Sequence, residues 1–259
     1  MIRTDKDGKV QGANHEATLA REAGRYEDAL RHLLDVYALV MADGQDAYVG
    51  RLDLLEWKFL VEVYPPARDA LRRLREEQAR RLLGGDVFYG VRYAAYSPRP
   101  SRFGLVAHID DILKDSRATY ELFVQFDALT PERARREAFK ALPAVVEAGD
   151  FALGERHLPD PLSFLPELDR MASETTLAPY SRAAMSLATH LSNFAKDVRL
   201  RAAILRGLGR AAEADALLDA ALAGLVTEEM RDKVREDLAS PGAILHWITA
   251  RHMAHLDQL

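Results

Sequence analysis

The segment Ala20-Arg21-Glu22-Ala23-Gly24-Arg25-Tyr26-Glu27-Asp28-Ala29-Leu30 decides the fold. Helix-forming residues stand on both sides of one glycine, and an aromatic and a small alanine follow at fixed offsets. Gly24 can take the left-handed conformation that ends a helix, and Tyr26 begins the next one, so the stretch reads as a helix-turn-helix hairpin. Two weaker echoes lie downstream, at Glu147-Ala148-Gly149-Asp150-Phe151 and at Arg206-Gly207-Leu208-Gly209-Arg210-Ala211.

Working outward, almost every segment carries helical periodicity. Asn14 is expected to cap a first helix that Gly24 stops, and a second runs from Tyr26 to about Met41. Tyr26, Leu30, Leu33, Leu34 and Tyr37 fall on one face of that second helix. Asp46 is placed to cap a third, whose apolar stripe reads Leu52, Leu55, Phe59 and Val63. Pro65-Pro66 separates it from a fourth, Ala67 to Leu83, with Ala67, Ala70, Leu71, Leu74 and Leu82 facing inward. Helix is then expected from about Phe103 to Phe126 and again after Thr130-Pro131, with Pro143 ending or kinking it. Later helices run from Tyr180 to about Leu208, over 210–224 and 228–238, and from Ser240-Pro241 to near Leu259. Two stretches break the pattern, 86–104 and 158–167, where prolines forbid regular helix. The expected fold is one all-α domain over residues 1–259: an irregular stack of antiparallel helical hairpins with about ten to twelve helices.

Composition narrows the function. The chain has 259 residues, 48% hydrophobic and 29% charged, which is ample for a core. A net charge of −5 argues against a general affinity for nucleic acid. With no cysteine, disulfides, thiolate catalysis and sulfur-ligated zinc are excluded. No apolar run reaches the length of a membrane span, and the N-terminus has no signal-peptide core, so a cytoplasmic protein without membrane contact is expected. The Ala/Arg/Leu-rich composition points to a bacterial source.

The hairpin punctuation resembles that of tetratricopeptide repeats. Gly24, Tyr26 and Ala29, with Ala17 before them, stand where that family has its turn glycine, its aromatic and its small contact residues. Gly209, Ala211 and Ala214, with Ala202, repeat the pattern, and Gly149, Phe151 and Gly154 follow it loosely. The turn glycines are 125 and 60 residues apart (149 − 24 and 209 − 149), against a family period of about 34. The large aromatic usual early in a repeat's first helix is missing. The resemblance is therefore to a degenerate member, and it implies a scaffold for protein or peptide binding.

Within that reading, residues 68–102 hold nine arginines against four acids, a local +5. Tyr89, Tyr93 and Tyr96 interleave with Arg92, Arg99 and Arg102. Arginine and tyrosine combine area, rigidity and hydrogen bonding, so these six residues form a candidate partner-binding loop for an acidic or mixed protein surface. Lys196, Arg199 and Arg206 recur at helical spacing and make a second candidate, able to hold a carboxylate-bearing peptide. On the resemblance, Asn14, Thr18 and Arg21 would line a groove.

Other motifs are weaker. His246, His252 and His255 lack the third ligand that a metal site needs, so no metal or cofactor is expected. His108-Ile109-Asp110-Asp111 could pair an acid with a base. Arg102 followed by His108, and Arg25 by His32, resembles the ribonuclease motif of all-helical HEPN domains, with Phe103 and Tyr26 where that motif has a polar residue. A non-catalytic binding protein is the reading these features favour, such as a toxin-neutralising immunity protein, a peptide-sensing regulator or a secretion chaperone. A HEPN-like ribonuclease or RNA-binding protein is the alternative.

Overall fold

The structure, a computed structural model, describes residues 5–42, 52–90 and 99–256. These form thirteen α-helices and one short 3-10 helix; the only β-type pairing among them is an isolated bridge between Phe88 and Ser101. Among the described residues no helix is long and apolar enough to cross a membrane. Where the sequence reading expects one domain, the contacts divide the chain into two compact units, Met1–Ala144 and Val145–Leu259.

The first unit contains α1 (Asp5–Glu22), α2 (Tyr26–Met41), α3 (Leu55–Val63), α4 (Pro65–Leu83), α5 (Arg102–Leu113), α6 (Ser116–Leu129) and most of α7 (Pro131–Glu147). Its core joins α1 to α5 through residues such as Leu33, Trp57, Leu71 and Ile109. Phe103 packs against Phe123 and Phe126, at 5.6 and 5.5 Å between ring centroids. The second unit contains α8 (Phe151–His157), the 3-10 turn Pro161–Phe164, α9 (Leu165–Glu174), α10 (Arg182–Gly207), α11 (Ala211–Ala223), α12 (Glu228–Ala239) and α13 (Ala243–Leu256). Leu187, Leu191, Phe194 and Val198 of the long α10 form its core with Met230, Val234, Ile244 and Ile248.

The three glycine turns are closed alike. The glycine has positive φ in each: 73° at Gly24, 78° at Gly149 and 78° at Gly209. The next residue's N–H reaches back five residues: Arg25 N to Ala20 O at 2.8 Å, Asp150 N to Val145 O at 3.2 Å, and Arg210 N to Leu205 O at 2.8 Å. This is the Schellman closure, which satisfies carbonyls that the helix end would leave unpaired. A fourth hairpin, α5 to α6, turns identically without glycine. Lys114 takes φ 61°, and Asp115 N donates to Asp110 O at 2.9 Å. Small residues then let the paired helices approach: Ala17, Ala20 and Ala29 are buried. A Cβ on Gly154 would stand 2.9 Å from an Ile204 methyl.

Several local expectations change. α1 begins at Asp5 rather than after Asn14, because burial of Val10 extends the helix through Gly8 and Gly12. The expected single helix 103–126 is two, broken at Lys114. Pro65 and Pro66 open α4 rather than precede it, in first-turn positions where a missing N–H costs nothing. Pro143 lies inside α7 without ending it, and the boundary between the units follows one residue later. On α2 the buried face is Ala29, Leu33, Val36, Tyr37 and Val40, leaving Leu34 exposed. Within α3 the assigned stripe is inverted: Leu52, before the helix, is buried as expected, but Leu55, Phe59 and Val63 are exposed, while Trp57, Leu60 and Val61 are buried. That short helix is apolar on both faces, so periodicity cannot choose, and packing of the indole decides. Asp46 lies outside the described residues.

A lysine held at positive φ costs of order 1 kcal/mol that glycine would not. Lys114→Gly is therefore expected to stabilise the protein by about 1 kcal/mol, and Gly24→Ala to destabilise it by at least as much. Urea denaturation of the two variants checks both signs.

Candidate functional site

A cleft of about 810 Å³ opens in the first unit, between α5, the N-terminal part of α7 and the limbs on either side of the Phe88–Ser101 bridge. Its apolar floor comes from Leu52, Val87, Leu105 and Phe126. α7 supplies Arg133, Arg136, Glu137 and Lys140, whose spacing of three, four and seven places them on one helix face. Arg99 faces the cleft from the loop limb and His108 from α5.

Among the described residues lining it, four cationic side chains meet one carboxylate. Glu137 is already paired with Lys140 at 2.5 Å. Arg99, Arg133 and Arg136 have no carboxylate partner among the described residues. Arg99 donates to the Gly90 carbonyl (2.9 Å from Nη2) and stands 5.7 Å from the Phe88 ring centroid, where Arg133 also stands at 6.0 Å. Lys140 lies 5.1 Å from the Phe139 ring, which is 57% exposed at the rim. Gly104 leaves the space that the Lys140 side chain occupies; a Cβ there would meet its ammonium. The result is a positive pocket in a chain of net charge −5, a contrast that concentrates positive potential in one place.

The wall is fastened from beneath. Arg102 is 1% exposed, and its guanidinium donates to the Asp86 carbonyl (2.7 Å), the Asp86 carboxylate (2.7 Å), the Phe88 carbonyl (2.9 Å) and Gln78 Oε1. Gln78 in turn donates to the Tyr37 hydroxyl, which donates to Glu77 at 3.1 Å. One buried hydrogen-bonded chain thus runs from α2 through α4 to the backbone that carries Phe88. Burial and the neighbouring Glu77 push the Tyr37 phenol up to about 12.

The sequence-based candidates separate accordingly. Arg99 lines the cleft. Arg102 does not meet a partner surface, because its donors are directed at the inner side of the loop. Tyr89 is largely buried, its N–H donating to the Pro100 carbonyl at 3.1 Å, and it also lines the cleft. Arg92, Tyr93 and Tyr96 lie outside the described residues. In the second unit, Arg206 pairs with Asp215 of α11 at 2.8 Å, and Arg199 donates to the Asp237 carbonyl of α12 at 3.3 Å. These two tie helices of their own unit together, and Lys196 is half-buried on the same helix. Arg21, expected in a groove, is held by Glu56 at 2.7 Å and covers Phe59.

No acid–base pair forms at His108. His108 and Asp111, three residues apart, are both exposed and share no hydrogen bond or ion pair among the described residues, while Asp110 is buried, bridged by Arg75 at 2.8 Å and by Thr119 at 3.0 Å. Burial pushes the Asp110 carboxyl up against the opposing pull of Arg75 and Thr119. His252 stacks on Tyr180 at 4.8 Å, and no group of three metal-binding side chains occurs among the described residues. Sequence reasoning missed Arg133, Arg136, Phe139 and Lys140. Their signal was present as cations at helical spacing after the Thr130-Pro131 start, on a helix whose other face is alanine-rich.

Compared with protein-family models, curated proteins and solved structures, the chain matches none.

Two outcomes follow from the buried chain. Arg102→Lys, which keeps charge but loses the guanidinium fork, is expected to cost about 3 kcal/mol in urea denaturation. An unfolded phenol ionises near 10 and the folded Tyr37 near 12, so its contribution is fully present below about pH 10 and lost as pH rises through about 12. The total is about 3 kcal/mol at 1.36 kcal/mol per unit. Tyr37→Phe should show a correspondingly flatter fall in stability over that interval.

Proposed function

We propose that the chain is a non-catalytic protein- or peptide-binding helical scaffold whose recognition site is the cleft of the first unit. The observation that carries this reading is the set of three arginines, 99, 133 and 136, without carboxylate partners among the described residues. They are held on fixed elements around an apolar floor. Arginine beside aromatic and aliphatic surface is the composition of an interface anchor. Structural arginines elsewhere in the chain, such as Arg75, Arg102, Arg206 and Arg210, are each matched to an acid.

The resemblance to a degenerate tetratricopeptide-repeat protein gains some support from the turns. Counting Lys114 with the glycines, two successive turns stand 35 residues apart (149 − 114), close to that family's period of about 34. A toxin-neutralising immunity protein, a peptide-sensing regulator and a secretion chaperone are the specific roles such a scaffold would suit, an acidic protein with a local basic cleft being compatible with each.

The ribonuclease alternative requires Arg102 and His108 to act on one substrate. Arg102 is instead consumed by Asp86, Gln78 and Phe88, which weighs against it.

Affinity capture from a lysate of the source organism, with and without nuclease and with wild type and the double variant Arg133→Glu/Arg136→Glu side by side, tests the proposal. One stoichiometric protein bound to wild type and depleted at least about tenfold with the variant is expected, as for loss of central interface arginines. Recovery of nuclease-sensitive RNA in place of protein would replace this reading with an RNA-binding one.

A further inference from the structure

The same cleft restricts what the partner can present. Resting on the reading of the chain as a peptide-binding scaffold, we infer that the cleft takes a short extended segment of an acidic protein, in which carboxylates flank an apolar side chain.

Charge is the first argument. The lining carries a net excess of cations among the described residues, and its one acid, Glu137, is neutralised by Lys140. An incoming carboxylate therefore meets arginines that, among the described residues, contact a backbone carbonyl and an aromatic ring but no acid. Arginine presents a planar fork that matches a carboxylate in two parallel hydrogen bonds. Arg136 is exposed and makes no ion pair, hydrogen bond or ring contact with the described residues, so it stands as the primary anchor.

Length is the second. Positions 133, 136 and 140 spread over about 10 Å of helix axis at 1.5 Å per residue. Three to four residues of extended chain, at about 3.3 Å each, span the same distance. Side chains alternate along such a segment, so two carboxylates facing α7 leave the residue between them facing the opposite way, toward apolar surface. The volume of about 810 Å³ accommodates a few side chains, the scale of a small-ligand site.

Chemistry of the rings is the third, and it selects peptide over nucleic acid. Sequence-tolerant binding of single strands uses aromatic faces on which bases stack. Here Phe88 is approached by Arg99 and Arg133, and Phe139 by Lys140. The ring surface is occupied by cations, and the free ends of those cations are what a ligand meets.

Fluorescence anisotropy with the full chain tests this. The probes are a fluorescein-labelled peptide Glu-Leu-Glu-Asp-Phe-Glu, its counterpart with Gln and Asn replacing the acids, and labelled hexathymidylate. Expected results are binding of the acidic peptide at least about tenfold tighter than the neutral one, and loss of about tenfold with Arg136→Glu. Binding should also weaken several-fold between about 50 and 300 mM salt. Arg136→Gln removes the fork without reversing charge and should weaken binding in the same direction. Circular dichroism of both variants confirms the fold. Equal binding of the neutral peptide overturns the role of charge, and tighter binding of hexathymidylate overturns the ligand class. If no peptide binds while the captured partner is depleted by Arg133→Glu/Arg136→Glu, this inference fails and the proposed recognition site stands; if the partner is retained by that variant, the cleft reading fails as well. If neither peptide nor protein binds, both fail.

Discussion

A helix that reverses must surrender its last carbonyls, and in this chain one closure answers that requirement repeatedly. A residue with positive φ swings the backbone so that the following N–H bonds five residues back. The next helix then starts without an intervening loop. Where that following residue is aspartate, as at 115 and 150, its side chain caps the new helix, accepting from Ala118 N and Leu153 N. Where it is arginine, as at 25 and 210, it pairs with an acid one turn on, Asp28 or Glu213. The turn thus fixes not only the reversal but the first contact of the returning helix. Small residues near the turn let the two helices close on each other.

The cleft depends on that economy of chain. α5 ends at Lys114, and α6 returns Phe123 and Phe126 to pack against Phe103 near the start of α5. The α5–α6 reversal thereby builds part of the floor. α7 adds the basic wall. Against these rigid helices the limb carrying Phe88 is not helical, and it is secured by Arg102 rather than by a ladder of strands. A buried guanidinium is well suited to this task because its five donors can serve carbonyls and a carboxylate in one plane. Through the carbonyls of Asp86 and Phe88 and the Asp86 carboxylate, one side chain holds three points of the limb at once.

The all-helical class was legible in the sequence because turn glycines and 3.6-residue periodicity are local signals. α2, α4 and α10 to α12 begin and end close to where their punctuation places them. What was not legible is instructive. The reversal at Lys114 is hidden because lysine is not a residue that announces positive φ; only Asp115, a competent cap, hints at it. The faces of α3 could not be distinguished because both are apolar, and a neighbour's shape decides between them. The described arginines of the candidate loop divide for a related reason. Charge and aromaticity flag Arg99 and Arg102 equally, yet one faces a cleft and the other is enclosed. Which arginines are matched by acids is a property of packing between distant segments, and no window of sequence contains it. The α7 cations were passed over because a basic helix face reads as ordinary solvated surface until an opposing wall makes it concave.

Arg102 also bears on how alleles of this protein would be interpreted. If the cleft is the recognition site proposed above, a survey of variants scored only by partner capture would rank position 102 beside positions 133 and 136, since losing the fastening displaces Phe88 as surely as losing a contact removes it. The two kinds of allele differ in heritable behaviour. Damage at 102 should be relieved by second-site changes that raise overall stability and by lower growth temperature, whereas damage at 136, on the proposed reading, should be relieved only by a compensating change in the partner. Suppressor genetics would therefore separate the architecture of the site from its chemistry without any further structure.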